Sequence, residues 1–241
     1  VFLIGDVGVV GVDPLEGNGP LPQVAALRSV GVDAGRRIEE IVVVDDGSTD
    51  RTADTVREHF PAVQVISYRP NRGKGHAVRT GMLAAKGEIR LFFDADSSTP
   101  IEELDNVFPH IGNGADVVIG SRMVAGADVL VHQRWVRERV GRFFNVVLLA
   151  LGLTRMRDTQ CGFKAFTARA TDICFTRQTL ERFSFDVEIL CIAARHKLKV
   201  VEIPVHWINS PDTRVRMLRD AIPTLKELLA IRANLRAGKY D

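Results

Sequence analysis

Two aspartates separated by one residue, Asp94 and Asp96, have the types and the spacing to hold a divalent cation together. They follow Ile89–Phe93, an apolar run that is typical of a buried strand. Ligands of parallel α/β sheets bind at the carboxyl ends of the strands. Mg²⁺ and Mn²⁺ take carboxylate oxygens and commonly bridge them to phosphates. The pair therefore predicts a Mg²⁺ or Mn²⁺ site, with a solvated turn as the alternative that the spacing alone leaves open.

A second acidic turn ends another apolar run. Asp45 and Asp46 follow Ile41–Val44 and precede Gly47, which permits a tight turn. Hydrogen bonds within a strand-to-helix turn explain part of this pattern. Two adjacent acids exceed that need, so the pair is a candidate for binding a nucleoside base or a ribose.

A basic turn, Asn71–Gly75, opens the next helical pattern, Lys74–Lys86. Glycines together with Arg72 and Lys74 at a helix N-terminus suit a phosphate group. The pattern is neither a Walker loop nor G-x-G-x-x-G, and an ordinary basic turn is an equal alternative. Lys74 is the candidate phosphate ligand of this turn.

The elements that must position these residues alternate along the chain from residue 38 onward. Near-continuous apolar strands between helical patterns predict an α/β fold, with a mostly parallel central sheet and helices on both faces. The predicted strands are Val7–Val12, Ile41–Val44, Val63–Ser67, Ile89–Phe93, Val117–Ile119 and Val200–Val205. The predicted helices are Gln23–Val30, Asp50–Phe60, Lys74–Lys86, Thr99–Ile111 (with Thr99 as N-cap and Pro100 at the first position), Ser184–His196 and Val215–Arg236.

Composition narrows the class of protein. The 241 residues carry a net charge of +2, which gives no support to nucleic-acid binding. The three cysteines form no C-x-x-C pair, which argues against a zinc site or a disulfide framework and fits a reducing compartment. The longest apolar run, Phe143–Leu153, is shorter than the roughly 18 residues that a membrane span needs. No signal peptide is evident at the start, so we expect a cytoplasmic protein.

These motifs, in this order, resemble the inverting family 2 glycosyltransferases of the GT-A (Rossmann-like) fold. The resemblance is strongest to the dolichyl-phosphate glucosyltransferase and polyprenyl-phosphate glycosyltransferase branch, and it covers roughly residues 38–236. It implies transfer of a hexose, glucose before mannose, from UDP-glucose or GDP-mannose to a polyprenyl phosphate, with Mg²⁺ or Mn²⁺. The further motifs that carry it are Gly120–Arg122, Asp158–Lys164 and Phe185–Glu188.

The resemblance also assigns roles to positions. It divides one domain, residues 1–241, into a donor half, 38–120, and an acceptor half, 121–241, after a segment, 1–37, that departs from the family's first strand. The implied donor residues are Asp45 and Asp46 at the base, Asp94 and Asp96 at the metal and diphosphate, Gln160 beside the sugar, and Arg214 (where the family has lysine) over the diphosphate. The implied acceptor-phosphate residues are Arg122, Arg137 and Arg142.

The acceptor decides which residues are catalytic. A lipid phosphate is largely ionised near neutral pH, so it needs alignment by Arg122 and a leaving group stabilised at Asp96. A hydroxyl acceptor needs a general base, and Asp186 is then the candidate. With a phosphate acceptor, Asp186 is expected to cap its helix or to orient an arginine. The alternatives are a same-fold enzyme with a hydroxyl acceptor and an inactive nucleotide-binding remnant, the latter because residues 1–37 diverge.

Two segments are candidates for contact with a membrane surface. Residues 134–153 combine arginines with an apolar run, and Val215–Arg236 is basic and amphipathic. Core packing and a solvated helix face are the ordinary explanations. A helix lying in the membrane interface, attracted to anionic lipid, is the functional one. The expectation is a peripheral protein at the inner, cytoplasmic face of a membrane.

Overall fold

The computed structural model describes residues 2–4, 7–11, 40–94, 98–129, 135–208 and 217–241. Its main feature is an eight-stranded sheet, and two further short strands pair in parallel beside it. The strands of the main sheet are β1 (Phe2–Ile4), β2 (Val7–Gly11), β3 (Ile41–Asp46), β4 (Gln64–Tyr68), β5 (Ile89–Phe93), β6 (Val117–Ser121), β8 (Phe163–Thr167) and β9 (Val200–Pro204). The short pair is β7 (Asp128–Val129) and β10 (His206–Trp207).

The order of the main sheet is β4-β3-β1-β2-β5-β8-β6-β9, and all its described strands except β1 and β8 run in one direction. The predicted α/β fold with a mostly parallel sheet is therefore confirmed. Strand β8 was not predicted. It inserts antiparallel between β5 and β6, with Leu91 opposite Ala165 and Val118 opposite the same residue. Strand β8 thereby brings its own N-terminus beside the carboxyl end of β5.

Seven helices of the described chain pack around the sheet. They are α1 (Thr52–His59), α2 (Lys74–Ala84), α3 (Leu104–Gly112), α4 (Trp135–Ala150), α5 (Ala168–Arg177), α6 (Phe185–Arg195) and α7 (Met217–Arg236). Helix α5 was not predicted, and the predicted helix Gln23–Val30 lies outside the described residues.

The predicted start of α3 at a Thr99 cap is wrong. Pro100 is extended, a 3-10 turn covers Ile101–Glu103, and no side chain caps it. The physical reason is the carboxylate of Glu103, which accepts hydrogen bonds from His206 and Asn106. Glu103 thus ties this turn to β10.

An aromatic cluster forms the floor under the carboxyl end of β5. Phe92, Phe166, Phe175 and Phe185 come from β5, β8, α5 and α6, and their ring centroids lie 5.1 to 6.4 Å apart. Such stacked, tilted and edge-on contacts add to the stabilisation from burial alone. Asp94, which directly follows β5, is therefore attached to a rigidly packed strand.

The described helices include none that is both long and apolar enough to cross a membrane. Helix α4 contains most of the apolar run that the sequence analysis singled out. Leu148 of this helix is buried, whereas Val146 and Leu149 are exposed. The described part of the run is therefore only partly core.

Candidate active site

Asp94 follows the last residue of β5 and is held against Gly162, the residue before β8. The Asp94 backbone N–H donates to the Gly162 carbonyl over 2.9 Å. A Cβ at Gly162 would lie 2.1 Å from Oδ2 of Asp94, a distance that no side chain can tolerate. Glycine is therefore required here so that the carboxylate can lie flat on the backbone. The Asp94 side chain keeps 35% of its surface exposed, and a ligand can reach it.

Lys74, the first residue of α2, forms an ion pair with this carboxylate. Its Nζ lies 2.6 Å from Oδ1 of Asp94. Burial by itself would raise the pKa of Asp94, but the ammonium of Lys74 outweighs it, and the pKa lies below its usual value. The Asp94 carboxylate is therefore anionic at neutral pH.

The donor chemistry at Asp94 fits a hard divalent cation. An ionised, partly exposed carboxylate at a strand end offers the oxygen ligands that Mg²⁺ and Mn²⁺ take. Asp96, the other predicted ligand, lies outside the described residues. Across the described ranges, no group of three or more His, Cys, Asp or Glu side chains is placed to hold a metal ion. Mg²⁺ commonly uses one or two carboxylates and completes its shell with substrate phosphates, so Asp94 remains a suitable ligand.

Asp46 builds the basic turn that precedes α2. Its two carboxylate oxygens accept the backbone N–H groups of Arg72 and Gly73, each over 2.7 Å. Asp46 is buried by these contacts, whereas Asp45 is half-buried and accepts the N–H of Ser48. The structure thus gives Asp46 a positioning role that the sequence analysis did not assign. Contact of either acid with a nucleoside stays a prediction.

The loop 178–182 supports the other side of the same turn. The Nε2 of Gln178 donates to the Gly75 carbonyl over 2.9 Å, and the N–H of His76 donates to the Glu181 carbonyl over 3.0 Å. A Cβ at Gly73 would lie 2.7 Å from that carbonyl oxygen, and φ of Gly73 is 108°. The close approach and the positive φ both require glycine. The backbone at Lys74 is consequently clamped from two sides.

Glu188 fixes the loop 178–182 in turn. Its buried carboxylate accepts from the N–H groups of Thr179 and Leu180 and from the hydroxyl of Tyr240, the last over 2.7 Å. Tyr240 is also buried, so the C-terminal turn is tied into the same network. Buried charges are tolerated when hydrogen bonds satisfy them in this way.

A second ion pair lies beneath the first. Lys164, in β8, is fully buried, and its Nζ lies 2.5 Å from both Oδ1 of Asp186 and the Cys161 carbonyl. Burial raises the pKa of Asp186, and the two nearby lysines, Lys164 and Lys74, offset this only in part. Helix α6 has Ser184 as its N-cap. The prediction that Asp186 caps the helix or orients an arginine is therefore wrong, because its partner is a buried lysine.

Arg122, just after β6, is oriented by two neighbours. Its Nε and Nη2 donate to the two carboxylate oxygens of Asp158 over 2.7 and 2.8 Å. Its guanidinium carbon lies 5.2 Å from the centroid of the Trp207 ring, within range of a cation–π contact. Burial alone would raise the pKa of Asp158, but Arg122 lowers it below its usual value. The Arg122 side chain is 26% exposed, so the pair still leaves it open to a ligand.

The loop between Asp158 and Gly162 carries polar atoms without partners. Within the described part of the chain, Oγ1 of Thr159 and Nε2 of Gln160 are buried and make no hydrogen bond. Buried polar groups that lack a partner cost free energy, and few occur in native proteins. The predicted substrate residue Gln160 thus lies two residues before Gly162, which supports Asp94, and its buried amide nitrogen has hydrogen-bonding capacity for a ligand.

For the remaining predicted residues, the structure describes the backbone or nothing. Arg214 lies outside the described residues, as Asp96 does, and α4 carries Arg137 and Arg142 on a described backbone. The sequence analysis missed the roles of Lys164, Asp158 and Trp207. A lysine inside the apolar run Phe163–Thr167 was the available signal, because a buried lysine requires an acidic partner.

A family model named "Glycosyl transferase family 2" matches residues 25–172, which is more than half of the chain. The chain belongs to glycosyl transferase family 2. Curated relatives of this family 2 chain include dolichyl-phosphate beta-glucosyltransferase ALG5D of Trichomonas vaginalis, 36% identical over 81% of this chain and 63% of that protein. The dolichyl-phosphate beta-glucosyltransferases of Saccharomyces cerevisiae and Homo sapiens are each 31% identical over 83% of this chain, and over 66% and 65% of their own lengths. The chain therefore spans less than two thirds of these relatives.

Solved structures show that this family 2 chain has the GT-A fold. Glucosyl-3-phosphoglycerate synthase from Mycobacterium tuberculosis, in complex with Mn²⁺, UDP and glucosyl-3-phosphoglycerate, matches with a TM-score of 0.66 and 20% identity, over 98% of this chain and 80% of that one. The same enzyme with UDP alone gives 0.66 over 95% of this chain and 80% of that one, at 20% identity. At this identity the likeness shows the fold alone.

Proposed function

We propose that the chain transfers glucose from UDP-glucose to a dolichyl or other polyprenyl phosphate, with inversion at the sugar carbon. The observation that carries this proposal concerns Arg122 and Asp186. A phosphate acceptor needs an accessible arginine such as Arg122, whereas a hydroxyl acceptor needs a general base such as Asp186. Arg122 is held open and oriented by Asp158, whereas Asp186 is buried against Lys164. The names of the curated relatives support the same acceptor and the same sugar.

On the donor side, we assign the diphosphate to the cleft edge formed by Asp94 and Lys74. Asp94, with Asp96, would hold Mg²⁺ or Mn²⁺, and Lys74 contributes a further positive charge at the N-terminus of α2. The metal supplies charge stabilisation to the departing nucleoside diphosphate. Gln160 offers its unpartnered amide to a sugar hydroxyl, and Asp45 faces the base or ribose. Mn²⁺ and UDP in the related fold support this assignment.

On the acceptor side, we assign the lipid phosphate to Arg122. One edge of its guanidinium donates to Asp158, and the remaining N–H groups can donate to phosphate oxygens. A phosphomonoester has its second pKa near about 6, so it attacks without a general base. Positioning and charge compensation then account for the catalysis required.

A hydroxyl acceptor is the second candidate function. The fold relative that makes glucosyl-3-phosphoglycerate favours it, since that product is a glucosylated acid rather than a lipid. Asp186 would then be the base. Its buried pairing with Lys164 argues against that role. Asp186→Asn removes the charge partner of the buried Lys164 and should lower the free energy of unfolding in either case. Turnover per folded molecule should fall by only a fewfold if the acceptor is a phosphate, and by about a thousandfold or more if Asp186 is the base.

We further propose that the chain works at the cytoplasmic face of a membrane, as a peripheral protein. Helix α7 buries Leu228 and Ile231 and exposes Ile222, Leu225 and Leu229 on another face. Exposed apolar residues of this kind, on a helix with basic residues, suit a membrane interface. A Leu225→Gln/Leu229→Gln variant should float less with anionic vesicles than the wild type. Equal flotation would contradict this part of the proposal.

The experiment that tests the proposed reaction is a donor screen with dolichyl phosphate and Mn²⁺. We expect transfer from UDP-glucose in preference to GDP-mannose, and loss of transfer in Asp94→Asn. An Asp105→Asn variant removes an exposed carboxylate of α3 and serves as the matched control. Failure to transfer from any nucleotide-sugar, or equal activity of the Asp94 variant, would overturn the proposal.

A further inference from the structure

The ammonium of Lys74 already lies against the carboxylate that a bound cation would use. Its Nζ lies 2.6 Å from Oδ1 of Asp94, on a side chain that is 22% exposed. A metal ligated by Asp94 would lie about 2.0–2.2 Å from a carboxylate oxygen. A monovalent and a divalent cation on the same carboxylate repel each other. The two cations therefore compete for Asp94.

We propose that Lys74 is an internal counter-ion of Asp94, which it yields to a divalent metal, and that its released ammonium then binds the donor diphosphate. The inference rests on the proposed function in one respect, namely that Asp94 is a metal ligand. It adds that the binding of metal and the binding of nucleotide are coupled. Lys74 provides the coupling, because its ammonium pairs either with Asp94 or with the diphosphate.

The surroundings allow the lysine side chain to move while the carboxylate stays in place. The backbone N–H of Asp94 is bonded to the Gly162 carbonyl, and its carboxylate lies against the Gly162 backbone in the space that a Cβ would otherwise fill. The backbone at Lys74 is clamped through Gly73 and Gly75. The four-carbon stem of lysine retains its rotamer freedom, so the ammonium is the group that can change partner.

The second lysine near the site cannot take over this role. Lys164 is fully buried, and its Nζ is bonded to Asp186 and to the Cys161 carbonyl. Breaking a buried ion pair by moving one partner is strongly destabilising. When Lys74 leaves Asp94, the divalent cation is therefore the replacement charge, and the diphosphate is the anion that receives the lysine.

This arrangement predicts opposite effects on two affinities. Without nucleotide, Lys74 lowers the affinity for the metal, because the metal must break the ion pair and approach a like charge. With nucleotide, Lys74 strengthens binding, because it forms a charge-assisted hydrogen bond with a phosphate. A coupling free energy between two ligands is reciprocal, so the metal raises nucleotide affinity by the same factor as the nucleotide raises metal affinity.

The test is a pair of titrations on Lys74→Met, with Lys74→Gln as a second variant and Lys86→Met, an exposed lysine beyond the end of α2, as the matched control. Free Mn²⁺ is followed by electron paramagnetic resonance without nucleotide, and UDP binding is followed by calorimetry at saturating Mn²⁺. We expect Lys74→Met to bind Mn²⁺ alone about fivefold more tightly, and UDP with Mn²⁺ about tenfold more weakly. Lys86→Met should match the wild type in both titrations.

Unchanged or weaker Mn²⁺ binding by both Lys74 variants, or no Mn²⁺ binding by any of the proteins, would overturn the inference. So would variants that lose both affinities together, which is the result of a merely structural lysine. The first titration contains neither sugar donor nor acceptor. A chain that transfers glucose while its Lys74 variants bind Mn²⁺ no more tightly keeps the proposed function and loses this inference.

Discussion

Arg122 is held by its surroundings before any ligand is bound. Asp158 engages two nitrogens of the guanidinium, and the guanidinium lies over the Trp207 ring. The carboxylate of Glu202 accepts the N–H of Asp158 over 3.0 Å and fixes that residue in turn. An arginine prepared in this way loses less conformational entropy when it binds a phosphate. Asp158 is thus a positioning residue that acts through Arg122.

Replacing Asp158 by Asn should therefore impair the acceptor more than the donor. The substitution keeps the shape but removes the charge and one acceptor that hold the Arg122 fork. We expect kcat/KM for lipid phosphate to fall by about tenfold to a hundredfold, because misplacing a binding group by about 1 Å has effects of this size. Steady-state kinetics with the acceptor varied, alongside UDP calorimetry, would measure it. A parallel loss of UDP affinity would contradict a role confined to Arg122.

A substitution at Gly162 should disturb the Asp94 carboxylate directly. A Cβ there would lie 2.1 to 2.5 Å from three atoms of the Asp94 carboxylate group, so Gly162→Ala must displace that group. We expect UDP–Mn²⁺ affinity to drop by roughly tenfold or more, as is usual when a metal ligand loses its support. Calorimetry would show it. The control is Gly112→Ala, where the added Cβ meets nothing within 4 Å. Equal affinity in the two variants would contradict our placement of the metal.

At the scale of elements, the short sheet β7–β10 links Arg122, the proposed acceptor-phosphate residue, to the start of α3. Trp207 of β10 lies under Arg122, and the neighbouring His206 donates to Glu103 in the 3-10 turn. The hydrogen bond from His206 to Glu103 raises the pKa of this exposed histidine. Burial would raise the pKa of Glu103, but its bonds to His206 and Asn106 hold it below the usual value.

The sign of the pH dependence follows from these two directions. A raised histidine pKa stabilises the fold fully below the ordinary value of 6.5, and the contribution is lost as the pH rises through the folded value. A lowered glutamate pKa stabilises the fold above the ordinary value of 4.5. The pair should therefore contribute most between these two values. As the pH rises above 6.5, the urea concentration at the midpoint of unfolding should fall in the wild type relative to His206→Gln. A constant difference from acid to alkaline pH would contradict this pairing.

The sequence predicted the parallel part of the sheet but not the antiparallel strand β8 within it. Strands β3, β5 and β6 are apolar runs long enough to recognise. Strand β8 contains Lys164, which interrupts the apolar pattern by which a buried strand is recognised. Its partner, Asp186, lies 22 residues away in the chain. Long-range ion pairs of this kind leave no local signal. The same limitation explains why Asp94 and Arg122 were found from their motifs, whereas Lys74's contact with Asp94 and the support of Asp158 were not.

At the scale of the whole molecule, the described residues bring Asp94, Lys74 and Gln160 near the carboxyl end of β5, and Arg122 to the end of β6. Strand β8 lies between β5 and β6, and the loop before it, residues 158–162, carries both Asp158 and Gly162. One loop therefore supports the proposed donor side and the proposed acceptor side. This shared support is the structural reason to treat the two halves of the site as parts of one transfer reaction.

The most direct measurement is a competition between two acceptors for one labelled donor. The chain is given UDP-glucose labelled in the sugar, Mn²⁺, and equal amounts of dolichyl phosphate in detergent and 3-phosphoglycerate. We predict that the label moves into the organic phase as a β-linked glucosyl lipid phosphate, with the water-soluble acceptor left unlabelled. Label in glucosyl-phosphoglycerate, or in neither acceptor, would contradict the account.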